Sequence, residues 1–185
     1  DMGVPYQSMI RHVGRPERPG EWLEYSPLLS IFISTVGLVY LGAEVNAKGA
    51  SVLLVDMHRE RAEATREMIE ADGGRAKVFA GDLTKAADCQ AMVQAAVEAF
   101  GTVDILVNNI GRAALGTVVN TTEDDWDKSM DVNLRTMFLA SKYAVPVMAD
   151  KGAGSIVNIS SISALRGDGT AAYSAAKGAM LALTI

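Results

Sequence analysis

One cysteine, Cys89, stands in 185 residues, so no disulfide within the chain is available and packing must hold the fold. Cys89 lies among apolar helix formers and reads as a small buried hydrophobe. A lone thiol suits a reducing compartment, and a cytoplasmic location is the expectation. The chain has two histidines, and no metal-ligand spacing surrounds His12, so no metal site is expected. Positive charge is also short. With 17 Lys and Arg against 22 Asp and Glu the net charge is −5, and no basic face is evident, which argues against nucleic acid as a partner. Long apolar runs are missing. The most apolar stretch, Leu28–Ala43, is shorter than the ~20 residues of a membrane span and carries Ser30, Ser34 and Thr35. Glu17, Glu21 and Glu24 precede it, which does not suit a signal peptide. A core strand and helix start is expected there, and no membrane partner.

What is present is ordinary for a globular protein: 49% apolar and 21% charged residues, enough for one domain with a sizeable core. Residues 1–27 contain Pro, Gly and Arg without period and read as an irregular extension, leaving 28–185 as a single domain. From Ser51 onward strands and helices alternate. Ser51–Val55 is a continuous apolar run closed by Asp56, the pattern of a strand covered on both faces. His58–Ala71 is a charged helix with Arg59–Glu63 and Arg66–Glu70 four residues apart, a solvated face. Gly73 and Gly74 end it, and Ala76–Ala80 is the next strand, closing at Gly81, Asp82, Leu83 and Thr84. A helix from Lys85 to Phe100 precedes a strand at Asp104–Val107, followed by Asn108, Asn109, Ile110 and Gly111. Thr122 and Asp125 make a capping-box start for a long helix with Trp126, Met130, Leu134, Met137 and Phe138 on one face. Such alternation calls for an α/β fold: a doubly wound parallel sheet, Rossmann-like, with ligands outside the carboxyl ends of the strands.

The densest chemistry lies in S-I-V-N-I-S-S-I-S-A-L-R-G-D-G-T-A-A-Y-S-A-A-K-G, from Ser155 to Gly178. A short strand over Ser155–Ser160 runs into a Gly-Asp-Gly loop at 167–169, and Ala171–Leu183 is a helix of small apolar residues. Tyr173 and Lys177 are four apart and share a face. A phenol titrates near ~10, too high for proton exchange at neutral pH. An ammonium one turn away favours the phenolate, and a serine hydroxyl at the strand end could hold a substrate oxygen beside it.

This strand, the N-I-S-S, the glycine loop and A-A-Y-S-A-A-K-G closely resemble the signature of the short-chain dehydrogenase/reductase family. The resemblance extends from about Gly49 to Leu183 and implies an NAD(P)-dependent oxidoreductase moving a hydride between nicotinamide and a secondary alcohol or ketone. It implies Tyr173 as general acid/base and Lys177 as the residue that lowers its pKa and holds the nicotinamide ribose. Asn133, in M-D-V-N-L, would anchor a water linking that lysine to solvent. N-I-S-S points to Ser161, with Ser160 the alternative because the loop to Tyr173 is one residue short. Asp56 would accept the adenosine ribose hydroxyls and repel a 2′-phosphate, favouring NAD over NADP, or else cap the following helix. Asp82 would contact the adenine edge or cap its helix, with Leu83 packing near the ring, and Asn109 would border the cofactor. Family members carry T-G-x-x-x-G-x-G after the first strand. Thr35, Gly37 and Gly42 are spaced differently, so no glycine is assigned to the pyrophosphate. The chain stops at Ile185 inside the Tyr173 helix, so the resemblance implies a fold incomplete at its C-terminal end, its substrate lobe absent. Family members pair through the helices of Asn133 and Tyr173, implying a homodimer or homotetramer. A relative that keeps the sheet and acts by binding alone is the alternative function.

Overall fold

The computed structural model describes residues 49–166 and 170–184; the extension read at 1–27, the strand and glycine turn read at 31–48 and the loop at 167–169 lie outside the described residues. Strand β1, Ser51–Asp56, pairs in parallel with β2, Arg75–Ala80, from Ser51 opposite Arg75 to Asp56 opposite Ala80. The pleat sends alternate residues to opposite faces. Val52, Leu54, Ala76 and Val78 meet Ala62 and Ile69 of helix α1, Arg59–Ala71. Leu53, Val55 and Phe79 meet Cys89, Met92 and Val93 of helix α2, Ala86–Phe100, on the other face. Both faces of the pair are therefore covered, which is why β1 reads as an unbroken apolar run.

The outer face of α1 is held by Arg66 to Glu63 at 2.6 Å, Arg59 to Glu63 at 3.5 Å and a further Arg66–Glu70 pair. Gly73 ends the helix with φ +80°, a conformation that costs glycine nothing, and the Gly74 N–H reaches back to the Ile69 carbonyl at 2.9 Å. Cys89 is fully buried, and that burial pushes its thiol up to about 11, so the residue is inert packing.

Strands β3, Ile105–Asn108, and β4, Ser155–Asn158, form a second parallel pair, Asn108 opposite Asn158. Helix α3, Glu123–Met130, and helix α4, Thr136–Lys151, follow β3. Leu139, Ala140, Ala144 and Met148 of α4 join the α2 residues in one cluster that also takes Leu106 of β3 and Ile156 of β4. The layer of α2 and α4 thus packs against all four strands, with α1 on the opposite face of β1 and β2, in keeping with the α/β, doubly wound parallel arrangement expected. Among the described residues no helix is long and apolar enough to cross a membrane.

The structure corrects one reading. Trp126 and Phe138 do not lie with Met137 on a buried face; they are 40% and 47% exposed, while Ser129, Asn133, Thr136, Met137 and Ala140 are buried. Between α3 and α4 the chain makes a π-helical turn, Asp131–Arg135, closed by the Thr136 N–H on the Asp131 carbonyl. One extra residue rotates the helix face by about 100°, so a stripe drawn at constant period fails across it. The start of α3 is as read: the Thr122 hydroxyl accepts the Asp125 N–H at 3.1 Å and donates to the Asp125 carboxylate at 2.7 Å.

Ile69 is the one large side chain that α1 buries, so Ile69→Ala should cost about 2–5 kcal/mol in urea unfolding. Its exposed neighbour Met68 changed to Ala should stay within about 0.5 kcal/mol.

Candidate active site

The site grows from the carboxyl ends of β3 and β4. Because the strands are parallel and in register, Asn108 and Asn158 end side by side, and Asn108 Nδ2 donates to Asn158 Oδ1 at 2.8 Å and to Ser141 Oγ at 3.2 Å. Asn158 Nδ2 in turn donates to Thr184 Oγ1 at 3.0 Å, just beyond helix α5, Ala171–Leu183. The small residues Ala172 and Ala176 are buried and let α5 sit close. Two bonds then cross between the chain after β4 and α5. Lys177 Nζ donates to the Ile159 carbonyl at 2.8 Å, and Ser160 Oγ donates to the Lys177 carbonyl at 2.8 Å.

Lys177 is 3% exposed, and burial pulls its pKa down to about 8. The Tyr173 ring centroid lies 5.9 Å from its Nζ, so the spacing that put both on one face is realised. Asn133 is fully buried in the π turn. Its side chain grips the backbone of Arg112, accepting the N–H at 2.8 Å and donating to the carbonyl at 3.0 Å, and Nδ2 also donates to the Ser129 carbonyl at 2.9 Å. This is how a buried amide finds its partners.

The two serines part company. The Ser160 hydroxyl proton is committed to Lys177, whereas Ser161 Oγ accepts the Ser163 N–H at 3.2 Å, heading a short 3₁₀ turn, Ile162–Ala164. That bond uses a lone pair and leaves the Ser161 proton to be donated elsewhere.

Asp56 and Asp82 stand at the adjacent ends of β1 and β2, joined by the Gly81 N–H on the Asp56 carbonyl at 3.1 Å. Asp56 Oδ1 accepts the His58 N–H at 2.7 Å and turns the chain; His58, not Asp56, is the cap residue of α1. Asp82 Oδ1 takes the Thr84 N–H at 3.1 Å and its hydroxyl at 2.7 Å, and that hydroxyl holds the carboxyl below its usual range. Lys85 stands at the N-cap position of α2 without a side-chain cap bond, so neither aspartate occupies the cap position considered for it. Leu83 is 7% exposed and belongs to the core cluster of Cys89 and Met92. Asn109 follows Asn108, half-buried, at the end of β3.

Sequence reasoning passed over Gly111, Arg112, Ser129 and Asn158. Gly111 and Asn158 stood within quoted motifs, but Arg112 acts through its backbone, which leaves no side-chain signature. A surface groove of about 330 Å³ beside α3 is lined by Val118, Thr122, Trp126 and Ala171 among others and holds none of Asn133, Ser161, Tyr173 or Lys177.

Residues 40–185 match the family model described as short chain dehydrogenase. The chain is 44% identical over 138 residues to an uncharacterized oxidoreductase of Thermotoga maritima, covering 74% of this chain and 54% of that one. It is 41% identical over 150 residues to 2-(S)-hydroxypropyl-CoM dehydrogenase 3 of Xanthobacter autotrophicus, covering 80% and 58%. The crystal structure of NAD+-bound xylitol dehydrogenase superposes with a TM-score of 0.78 at 29% identity, over 83% of this chain and 59% of that chain. The chain thus spans a little over half the length of these relatives.

Burying Lys177 as a cation disfavours the folded state wherever the lysine is charged. With its pKa at about 8 against an ordinary 10.5, that cost is full below pH 8 and is relieved as pH rises between the two values. Lys177→Met should therefore be more stable relative to the parent at pH 7 than at pH 10, read as the difference between the two melting temperatures.

Proposed function

Because the chain belongs to the short-chain dehydrogenase family, we propose that it serves an NAD-dependent oxidoreductase, moving a hydride between the cofactor and a secondary alcohol or ketone. The observation that carries this reading is the buried Lys177 ammonium, tied to the Ile159 carbonyl and facing the Tyr173 ring at 5.9 Å. Residues 28–185 would act as one dinucleotide-binding domain. NAD, when bound, supplies the hydride acceptor, and NADH the donor.

The residues present fit such a cofactor. The ends of β1 and β2 carry the carboxylates Asp56 and Asp82, suited to hydroxyl and amine donors of an adenosine, while a cation lies at the end of β4. Asp56, with ribose hydroxyls to accept and a 2′-phosphate to repel, sets NAD above NADP. Leu83 has only backbone to offer, and Asn109 would border the nicotinamide side.

Tyr173 gives a proton to the ketone oxygen in reduction and takes it from the alcohol in oxidation. Lys177 stabilises the phenolate formed and holds the nicotinamide ribose. Ser161, whose hydroxyl proton is not spent on Lys177, holds the substrate oxygen. Both amide hydrogens of Asn133 are used within the protein, so the relay water that Asn133 anchors would donate to one of its carbonyl oxygens. The exposed Trp126 and Phe138 flank the Asn133 turn and fit a homodimer or homotetramer formed through the helices of Asn133 and Tyr173, and a free, buried Cys89 fits a cytoplasmic setting.

Tyr173→Phe should cut turnover on a panel of secondary alcohols with NAD by roughly 10²- to 10⁴-fold while NADH binding persists. Unchanged turnover would remove Tyr173 from the chemistry. Cofactor binding without any turnover in the parent would favour a protein that acts by binding alone. In the same assay Asp56→Asn should narrow the preference for NAD over NADP.

A further inference from the structure

We propose that Gly111 is a positioning residue, whose missing side chain leaves the space bordered by the Lys177 ammonium and the Asn133 amide oxygen. The inference builds on the reading of Lys177 given above. A Cβ placed on Gly111 would lie 3.0 Å from Asn133 Oδ1, 3.1 Å from Lys177 Nζ and 3.4 Å from Lys177 Cε. The first two are tighter than ordinary van der Waals contact, and the third lies at its lower edge. Gly111 is not among the glycines with left-handed backbone, so its conformation does not call for glycine. Space does.

Neither neighbour yields freely. Asn133 is fixed by Arg112 on both sides of its amide and by the Ser129 carbonyl. Lys177 Nζ is fixed by the Ile159 carbonyl at 2.8 Å, and the Ser160 hydroxyl grips the lysine's own carbonyl. Of the atoms met, Nζ ends the longest and most flexible side chain, so it is the ammonium that a methyl group would displace. Gly111 therefore decides where the cation stands relative to the Tyr173 ring, without touching substrate itself.

The test is competitive acylation of the full chain with acetic anhydride from neutral to alkaline pH, following Lys177 by mass spectrometry. In the parent, Lys177 should label slowly, with a midpoint of about 8. In Gly111→Ala, the midpoint of the displaced amine should rise toward the ordinary lysine value of about 10.4, and its limiting rate on the alkaline side should be several-fold faster. An unchanged rate and midpoint in a folded variant would overturn the proposal. Should Gly111→Ala fold poorly, the same change made in Lys177→Met decides the matter. A smaller loss of melting temperature in that background supports the steric seat; an equal loss in both backgrounds overturns it. These readouts need no turnover, so they stand apart from the chemistry assigned to Tyr173.

Discussion

The bond from Lys177 Nζ to the Ile159 carbonyl is the interaction on which the site depends. It joins the residue just past β4 to the middle of α5 and buries a cation to do so. A lone buried ammonium is expensive, and here the cost appears as a pKa pulled down to about 8. What offsets it is packing: Ala172 and Ala176 bring α5 close, and the Ser160 hydroxyl returns a second bond to the lysine's carbonyl. The result is a cation held at a fixed distance from a phenol, which a solvent-exposed pair at the same spacing would not achieve.

The rest of the molecule supports that placement in layers. The Asn108–Asn158 bond fixes the register at the ends of β3 and β4, and Ile159 donates its own N–H to the Asn108 carbonyl at 2.9 Å. Ile159 is therefore held by the strand end before its carbonyl meets Lys177. On the other side the π turn carries Asn133 inward, where its amide clasps Arg112 and fixes the chain following Gly111. Beneath these, the shared core of α2 and α4 packs against both strand pairs. Local sequence preference, packing and polar satisfaction agree here, as they should in a site that must be rigid.

Much of this was legible in the sequence. The continuous apolar run of β1 and the alternation of strands and helices gave the fold class, and α5 runs from Ala171 to Leu183 as read. The Tyr173–Lys177 pair followed from helical spacing. What escaped shares a cause: it depends on geometry that residue identity does not encode. The π turn changes the helical period without any proline or glycine to mark it, so a stripe of constant period does not show that Trp126 and Phe138 are exposed. The depth at which Leu83 sits, in the core with its carbonyl accepting from the Cys89 thiol, is set by packing against α2 and not by the residue order. The division of labour between Ser160 and Ser161 needed the position of α5, which no spacing in the motif supplies.

On the proposed function, these strand ends and Lys177 together form a nicotinamide cofactor site. The direct measurement is a calorimetric titration of the purified chain with NADH, repeated on Lys177→Met. Saturable binding by the parent, weakened at least several-fold in the variant, is the predicted result. No binding by the parent, or equal binding by both proteins, would contradict it.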